Sequence, residues 1–356
     1  MRVALVAPPF IPVPPKNYGG TELFVGYLAV GLRKLGIDVV VYTNGESTVD
    51  VEKRWLYAQS QWPIKGEIYA NLREMNHSSW AISDAAGDCD IIHLNSVSGL
   101  SHTRFVDAGF VYTIHHPHLE DLSDFYNYYP EIQFVTISKF QERQEEMPFL
   151  RTIHHGLDLS LYTFQPKKQD YLAFLGRIAP IKGTHLAIEV AKKSGLPLKI
   201  AGEVQPMFRD YFETKVKPHI DGKFIEYLGE ADLKVKNELL GNARALLFPI
   251  QWNEPFGLVM VEAMACGTPV LAMPGGAVEE VVDDGVSGFL CKSAEEMVAH
   301  VRTLQLNHAG VRKYAEEFFS FDTMVNKYAA LYRQMMKAGG PAVRREDLVQ
   351  EQRAVA

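Results

Sequence analysis

The sequence predicts an α/β protein built from two doubly wound units in succession. Three observations carry this expectation. Short apolar runs alternate with stretches of helical periodicity from the first residues onward. Glycine turns join several of the strands to the helices that follow them. The alternation pauses in a polar segment, Pro166-Lys167-Lys168-Gln169-Asp170, and then begins afresh. A length of 356 residues also suits about two domains.

Residues 2–7 read as the first strand. The loop 8–15 carries too many prolines for regular structure and leads into Asn17-Tyr18-Gly19-Gly20-Thr21-Glu22. A helix follows to Leu35, Gly36 closes it, and 37–43 is the second strand. Gly19 and Gly20 at the helix start let backbone N–H groups approach an anion, although such a pair also makes ordinary turns. The motif is not G-x-G-x-x-G, so no dinucleotide site is read here. Residues 66–86 have a helical pattern, and 90–94, 110–114, 134–137 and 151–155 read as strands, with a helix starting at Ser138-Lys139.

Two clusters in this half invite a metal reading. Asp88-Cys89-Asp90 has the form of a metal-binding Asp-x-Asp, but it stands at the entrance of a buried strand and reads as turn carboxylates. His115, His116 and His118 follow a strand, where zinc is conceivable. No fourth ligand is evident and Pro117 breaks any helical spacing, so a ligand-facing hydrogen-bonding role is expected instead.

In the second half, 171–175 is a strand and Gly176-Arg177-Ile178-Ala179-Pro180-Ile181-Lys182-Gly183 its loop, with a helix to Lys193. Arg177 and Lys182 put two cations beside a helix start, which suits a pyrophosphate; the alternative is two solvated loop cations. Strands are expected at 198–201 and 224–228. The first runs into Gly202 and Glu203, and Leu228 ends the second. The run Ala245-Leu246-Leu247-Phe248 is a buried strand ending at Pro249. A polar loop leads to Glu254, a helix covers 257–265, Gly267 ends it, and 268–272 is the next strand. Glu254 therefore sits just before a helix start and Glu262 a little over two turns on. A carboxylate accepts from two hydroxyls at once, so each can clamp a vicinal diol of a hexose or a ribose. A core helix with one N-terminal charge and one solvated glutamate is the other reading. Residues 294–319 read as helical, and a last helix at 321–337 carries the stripe Met324, Val325, Tyr328, Leu331, Tyr332.

Glu254-Pro255-Phe256-Gly257 and Glu262, followed by Gly267-Thr268-Pro269-Val270, resemble the E-x7-E element of the retaining glycosyltransferases of family 4. Gly176-Arg177 and Lys182-Gly183 stand at that family's spacing, Gly156-Leu157-Asp158 resembles its domain crossover, and Gly275-Gly276 with Glu279 or Glu280 resembles its Gly-Gly-x-x-Glu. The resemblance implies the GT-B fold, two facing doubly wound Rossmann-like domains with the site in the cleft. It implies an acceptor-side domain at 1–157, a nucleotide-sugar domain at 171–319, a helix at 320–337 crossing back to the first, and a polar tail at 338–356.

The activity implied is transfer of a hexose from a UDP-glucose-like or GDP-mannose-like donor to an acceptor, with retention. Glu254 would contact the sugar, Glu262 the ribose, Arg177 and Lys182 the diphosphate, and His115 the neighbourhood of the sugar. Gly19 and Gly20 would lie against the diphosphate. Gly202, Glu203 and Leu228 would lie near the base, and Pro255, Phe256, Gly257 and Leu258 beside the donor. Glu279 and Glu280 are read as structural. No metal or other cofactor is expected, because cations already supply the charge. No carboxylate nucleophile facing the sugar is evident, so a same-face mechanism is expected, the leaving diphosphate assisting deprotonation of the acceptor. A nucleotide-sugar epimerase of the same architecture, or a degenerate nucleotide-sugar-binding protein, remain as other readings. The acceptor, a small molecule, a glycan or a lipid-linked sugar, is not named by the sequence. Phe125, Tyr126, Tyr128 and Tyr129 either stack on it or pack their own loop.

Composition sets bounds. A net charge of −7 without a long basic run argues against a nucleic-acid partner. Cys89, Cys266 and Cys291 have no metal spacing and suit free thiols in a reducing cytoplasm. No apolar stretch of about 18 residues is present, and the first apolar run is too short for a signal peptide. A cytoplasmic location follows as the expectation, with peripheral membrane attachment left open.

Overall fold

The structure is a computed structural model that describes residues 1–16, 19–64 and 66–337. Asn17 and Tyr18 of the first glycine loop and the polar tail 338–356 lie outside the described residues. The described residues divide into two compact units, the first made of residues 1–156 with the last helix from Phe321, the second of residues 157–320.

In the first unit the strands are β1 Arg2–Val6, β2 Asp38–Thr43, β3 Glu52–Trp55, β4 Ile91–Leu94, β5 Gly109–Ile114, β6 Gln133–Thr136 and β7 Leu150–Thr152. They form one sheet in the order β3-β2-β1-β4-β5-β6-β7, every pair parallel. Every residue of β4 and β5 is buried, as parallel strands covered on both faces require. The second unit has β8 Leu172–Leu175, β9 Leu198–Ala201, β10 Ile225–Tyr227, β11 Ala245–Phe248, β12 Val270–Ala272 and β13 Gly288–Leu290. Its order, β10-β9-β8-β11-β12-β13, repeats the wiring of the first, again all parallel. Strand order reverses between β1 and β4, and between β8 and β11. In such sheets ligands bind beyond the strand carboxyl ends at these reversals.

The helix Phe321–Lys337 completes the first core. Its predicted stripe is buried in full: Met324, Val325, Tyr328, Leu331 and Tyr332. They join Val3, Leu5, Leu28 and Leu32 in one apolar cluster. Gly31 of the helix Gly20–Lys34 makes room for this packing, since a Cβ there would stand 2.4 Å from Val325 and 2.7 Å from Phe321. A buried polar chain adds specificity. His93 Nδ1 and Tyr332 Oη lie 2.6 Å apart, His93 Nε2 is 2.8 Å from Thr113 Oγ1, and Tyr328 Oη is 3.0 Å from that hydroxyl. The two tyrosines of the last helix are thus bonded to β4 and β5 inside the core.

Several expectations need correction. The polar segment 166–170, expected as a linker between the domains, is part of the second unit, which begins at Leu157. Lys168 Nζ donates there to Gly241 O at 2.8 Å, Cys266 O at 2.9 Å and Thr268 Oγ1 at 2.8 Å, satisfying carbonyls at two helix ends. The expected helix at 294–319 is two helices, Ala294–Thr303 and His308–Phe318. The break falls where Asn307 accepts from the amides of Ala309 and Gly310 and so starts a new helix. Lys139–Glu142 is a single turn, and β7 ends at Thr152 rather than 155.

Two outcomes test this packing. Gly31→Ala should cost about 1–3 kcal/mol through overpacking against the last helix, read as a lowered denaturant midpoint; an unchanged midpoint would mean the two helices are not this close. Burial also depresses three imidazoles in the first unit, His93 and His155 to about 3 and His77 to about 4. Between pH 6.5 and 4 the unfolded chain binds protons that the native state refuses. Stability should therefore be full above pH 6.5 and fall as pH drops, by up to about 1.4 kcal/mol per pH unit for each such group. Denaturant titrations at pH 7.5 and 5.5 measure this, and equal midpoints would sink it.

Candidate functional site

Two backbone contacts build the centre of the second unit. After β8 the chain makes a short 3-10 turn, Pro180–Lys182, and Gly183 follows in the left-handed region at φ +71°. A Cβ on Gly183 would lie 1.9 Å from Pro249 O, so only glycine lets this turn meet the segment after β11. The Gln251 amide donates to Ile181 O at 2.7 Å and fixes the meeting. On the far side, Gly276 at φ +65° would place a Cβ 2.2 Å from Glu254 O. Glu254 and Gly276 form a parallel bridge, and the Ala277 amide donates to Glu254 O at 2.8 Å. The glycine pair after β12 therefore grips the backbone of Glu254.

These contacts bring Lys182 and Glu254 into an ion pair at the reversal between β8 and β11. The side chains are only 14% and 10% exposed. Lys182 Nζ donates to Glu254 Oε2, and Trp252 Nε1 donates to the same oxygen at 2.9 Å. The ammonium also lies 4.6 Å from the centre of the Trp252 ring. Burial lowers the Lys182 pKa, Glu254 works against that, and nearby Arg177 adds to the lowering. Arg177 is half-buried and makes no ion pair with the described residues. A second cation thus remains available beside the pair.

Glu262 lies in the helix Leu258–Ala265 and is 4% exposed. Its Oε1 accepts from Tyr162 Oη at 2.9 Å and from Lys236 Nζ at 2.8 Å. Arg312 anchors this arrangement through Tyr162 O at 2.9 Å, Leu159 O at 3.0 Å and Ala265 O. Gly257 starts the helix, Phe256 is buried against Phe319, Pro255 is buried, and Leu258 is half-buried. Gly202 directly follows β9, the neighbour of β8, and Leu228 directly follows β10 at the sheet edge. The Gly202 amide donates to Gly229 O at 2.8 Å, and the Leu228 amide to Ile200 O at 2.8 Å. Glu203 accepts on its backbone oxygen from the Ile178 amide at 2.9 Å.

The remaining candidates belong to the first unit. Gly19 and Gly20 open the helix Gly20–Lys34 without a side-chain cap. Glu22 in its first turn is buried, and that burial, with Glu74 nearby, raises its carboxyl to about 7. His115 follows β5 and stacks on His155, the rings 5.5 Å apart and 7° from parallel. Its Nε2 lies 2.9 Å from Asn95 Oδ1.

The three clustered histidines share no partner. His116 contacts Pro117 O at 2.7 Å and Tyr126 Oη at 2.6 Å, and His118 contacts Glu145 Oε1 at 3.1 Å. Asp88 pairs with Arg54 at 2.9 Å, and Asp90 accepts from the Arg2 amide at 2.7 Å. Among the described residues no group of three or more His, Cys, Asp or Glu is placed to hold a metal ion. Tyr126 and Tyr129 are core residues, whereas Tyr128 is 67% exposed.

Trp252, Tyr162, Lys236, Arg312 and Asn95 were not singled out from the sequence. Trp252 stands two residues from Glu254, which was a usable signal. Tyr162 lay between the two expected domains, 1–157 and 171–319, and Lys236 in the helix Leu233–Asn242, which was not anticipated.

No helix among the described residues is long and apolar enough to cross a membrane. A D-inositol 3-phosphate glycosyltransferase of Geodermatophilus obscurus is 34% identical over 200 residues, 48% of this chain and 43% of the relative. The chain thus spans less than half the length of that curated relative. Over 95% of this chain and 98% of the other, the structure resembles AviGT4, a glycosyltransferase involved in avilamycin A biosynthesis, with a TM-score of 0.70 and 22% identity. It also resembles HepE of Anabaena in complex with UDP-glucose, with a TM-score of 0.74 and 17% identity over 94% of this chain and 100% of the other. These likenesses establish the GT-B fold, with its two Rossmann-like domains. The model of the glycosyl transferases group 1 matches residues 163–318, that of glycosyltransferase family 4 matches residues 18–179, and together they place the chain in glycosyltransferase family 4.

Proposed function

We propose that the protein transfers a hexose from a nucleoside-diphosphate sugar to an acceptor hydroxyl, with retention and without a metal ion. The observation that carries this reading is the buried Lys182–Glu254 pair at the strand reversal, with the half-buried Arg177 beside it. Cations at such a position suit a diphosphate, and a carboxylate suits sugar hydroxyls. The UDP-glucose complex of HepE makes a UDP-sugar the first donor to test.

In this reading Arg177 and Lys182 bind the diphosphate, and Gly19 and Gly20 present backbone N–H groups to it. Glu254 accepts from the hexose, Glu262 from the ribose, and His115 from a sugar hydroxyl. Gly202, Glu203 and Leu228 serve the base, and the 255–258 turn flanks the donor. The bond between the anomeric carbon and the phosphate oxygen breaks, and its electron pair stays on the diphosphate. The acceptor oxygen bonds to the same face of that carbon, and its proton passes to the leaving phosphate. Arg177 and Lys182 stabilise the developing negative charge, the role a divalent ion plays in other transferases. On donor binding Lys182 turns part of its charge from Glu254 to phosphate, which frees a carboxylate oxygen for the sugar.

Three variants divide these roles by calorimetry of free nucleoside diphosphate beside steady-state kinetics. Glu262→Gln should weaken the nucleoside diphosphate and the donor alike. Glu254→Gln should lower turnover and leave free nucleoside diphosphate nearly unchanged, because that ligand has no hexose. Lys182→Met should cost about 2 kcal/mol in nucleotide binding. Combined with Glu254→Gln it should be non-additive by about 0.5–3 kcal/mol, since each removes the other's partner. The reverse split, with Glu254→Gln losing nucleotide binding and Glu262→Gln keeping it, would overturn the donor placement.

A second outcome concerns metal and stereochemistry. Transfer should persist in excess EDTA, and the product anomer by NMR should match the donor. Activity lost to EDTA and restored by manganese, or an inverted product, would refute the mechanism.

A further inference from the structure

Asn95 directly follows β4 at the reversal of the first sheet and is 6% exposed. Its side-chain nitrogen donates to two carbonyl oxygens, Val6 O at 3.1 Å and His93 O at 3.4 Å. Carbonyls cannot donate, so a flipped amide would set its oxygen against both of them. The amide orientation is therefore fixed, and its oxygen faces His115 Nε2 at 2.9 Å. An amide oxygen only accepts, so Nε2 must carry the proton. Nδ1 is then an unprotonated acceptor. That nitrogen is buried, with no hydrogen-bond partner among the described residues.

The surroundings keep the ring neutral. Phe24 meets it edge-on at 4.8 Å and His155 stacks on it. Burial first, and then the imidazoles of His155, His93 and His116, hold its pKa well below the ordinary value. A buried acceptor without a donor is costly, and a ligand that brings a hydrogen to it removes that cost.

We infer that Asn95 is a positioning residue that locks the tautomer of His115, making this position a subsite for a ligand hydroxyl rather than for phosphate or carboxylate. An anion has no hydrogen to offer the bare Nδ1 and would meet its lone pair. The link to hexose transfer rests on the function proposed above; the tautomer itself does not.

The test uses the full chain with 15N-labelled histidine, His115 being assigned by the signal lost in His115→Gln. In the wild type, His115 should show a proton on Nε2 and a bare, pyridine-like Nδ1, unchanged between pH 8 and 6. A proton on Nδ1, or an imidazolium in that range, would overturn the proposal without any variant being needed. Asn95→Leu should let the Nδ1–H tautomer appear and lower kcat/KM at least tenfold, while affinity for UDP stays unchanged. An unaltered tautomer in that variant would overturn the lock. A shifted tautomer with unaltered kcat/KM would overturn the hydroxyl subsite, whatever the fate of the donor assignments in the second unit.

Discussion

An ammonium and a carboxylate, both nearly out of water, meet where the second sheet reverses its strand order. Burying either alone would be expensive, and burying both is tolerable only with good geometry and further hydrogen bonds. The molecule supplies these from the backbone outward. Gly183 lets the lysine turn touch the segment after β11, Gly276 grips the glutamate from the other side, and the Trp252 indole completes the carboxylate. Replacing such a pair by apolar residues would often not destabilise a fold. Its place in a loop at the strand reversal fits a role in ligand chemistry better than a role in stability.

The sequence disclosed the parts of this arrangement that repeat at short range. The glutamates are eight positions apart on a loop and its helix, and the two cations share one loop, so local periodicity and turn chemistry sufficed to put them on those elements. The apolar stripe of the last helix was equally plain, because one face of a helix records its own burial. What stayed hidden depends on pairing across the chain. Lys182 and Glu254 are separated by 72 residues, and Tyr162 and Glu262 by 100. No local pattern records such partners. Lys168 was hidden for a related reason: the polar segment around it read as a domain boundary, whereas its ammonium stitches two helix ends together.

The histidines make the same point from the other direction. Three of them in four residues looked like one functional cluster, yet each is turned to a different partner: Asn95, Tyr126 with Pro117, or Glu145. Proximity in sequence at a strand end is proximity of backbone only. Successive side chains leave a strand on opposite faces, and the following proline sends the chain elsewhere. Chemistry at this corner is set by what each ring meets, not by how many rings are adjacent.

The last helix carries a consequence for biogenesis. The first unit takes its final core element from residues 321–337, after the whole second unit has intervened. During synthesis, β1 to β7 emerge early but lack the tyrosines that answer His93 and Thr113. The second unit, one unbroken stretch of chain, has all its strands available before that helix exists. The usual N-to-C order of domain maturation is thus reversed, and the early half must wait with apolar surface uncovered.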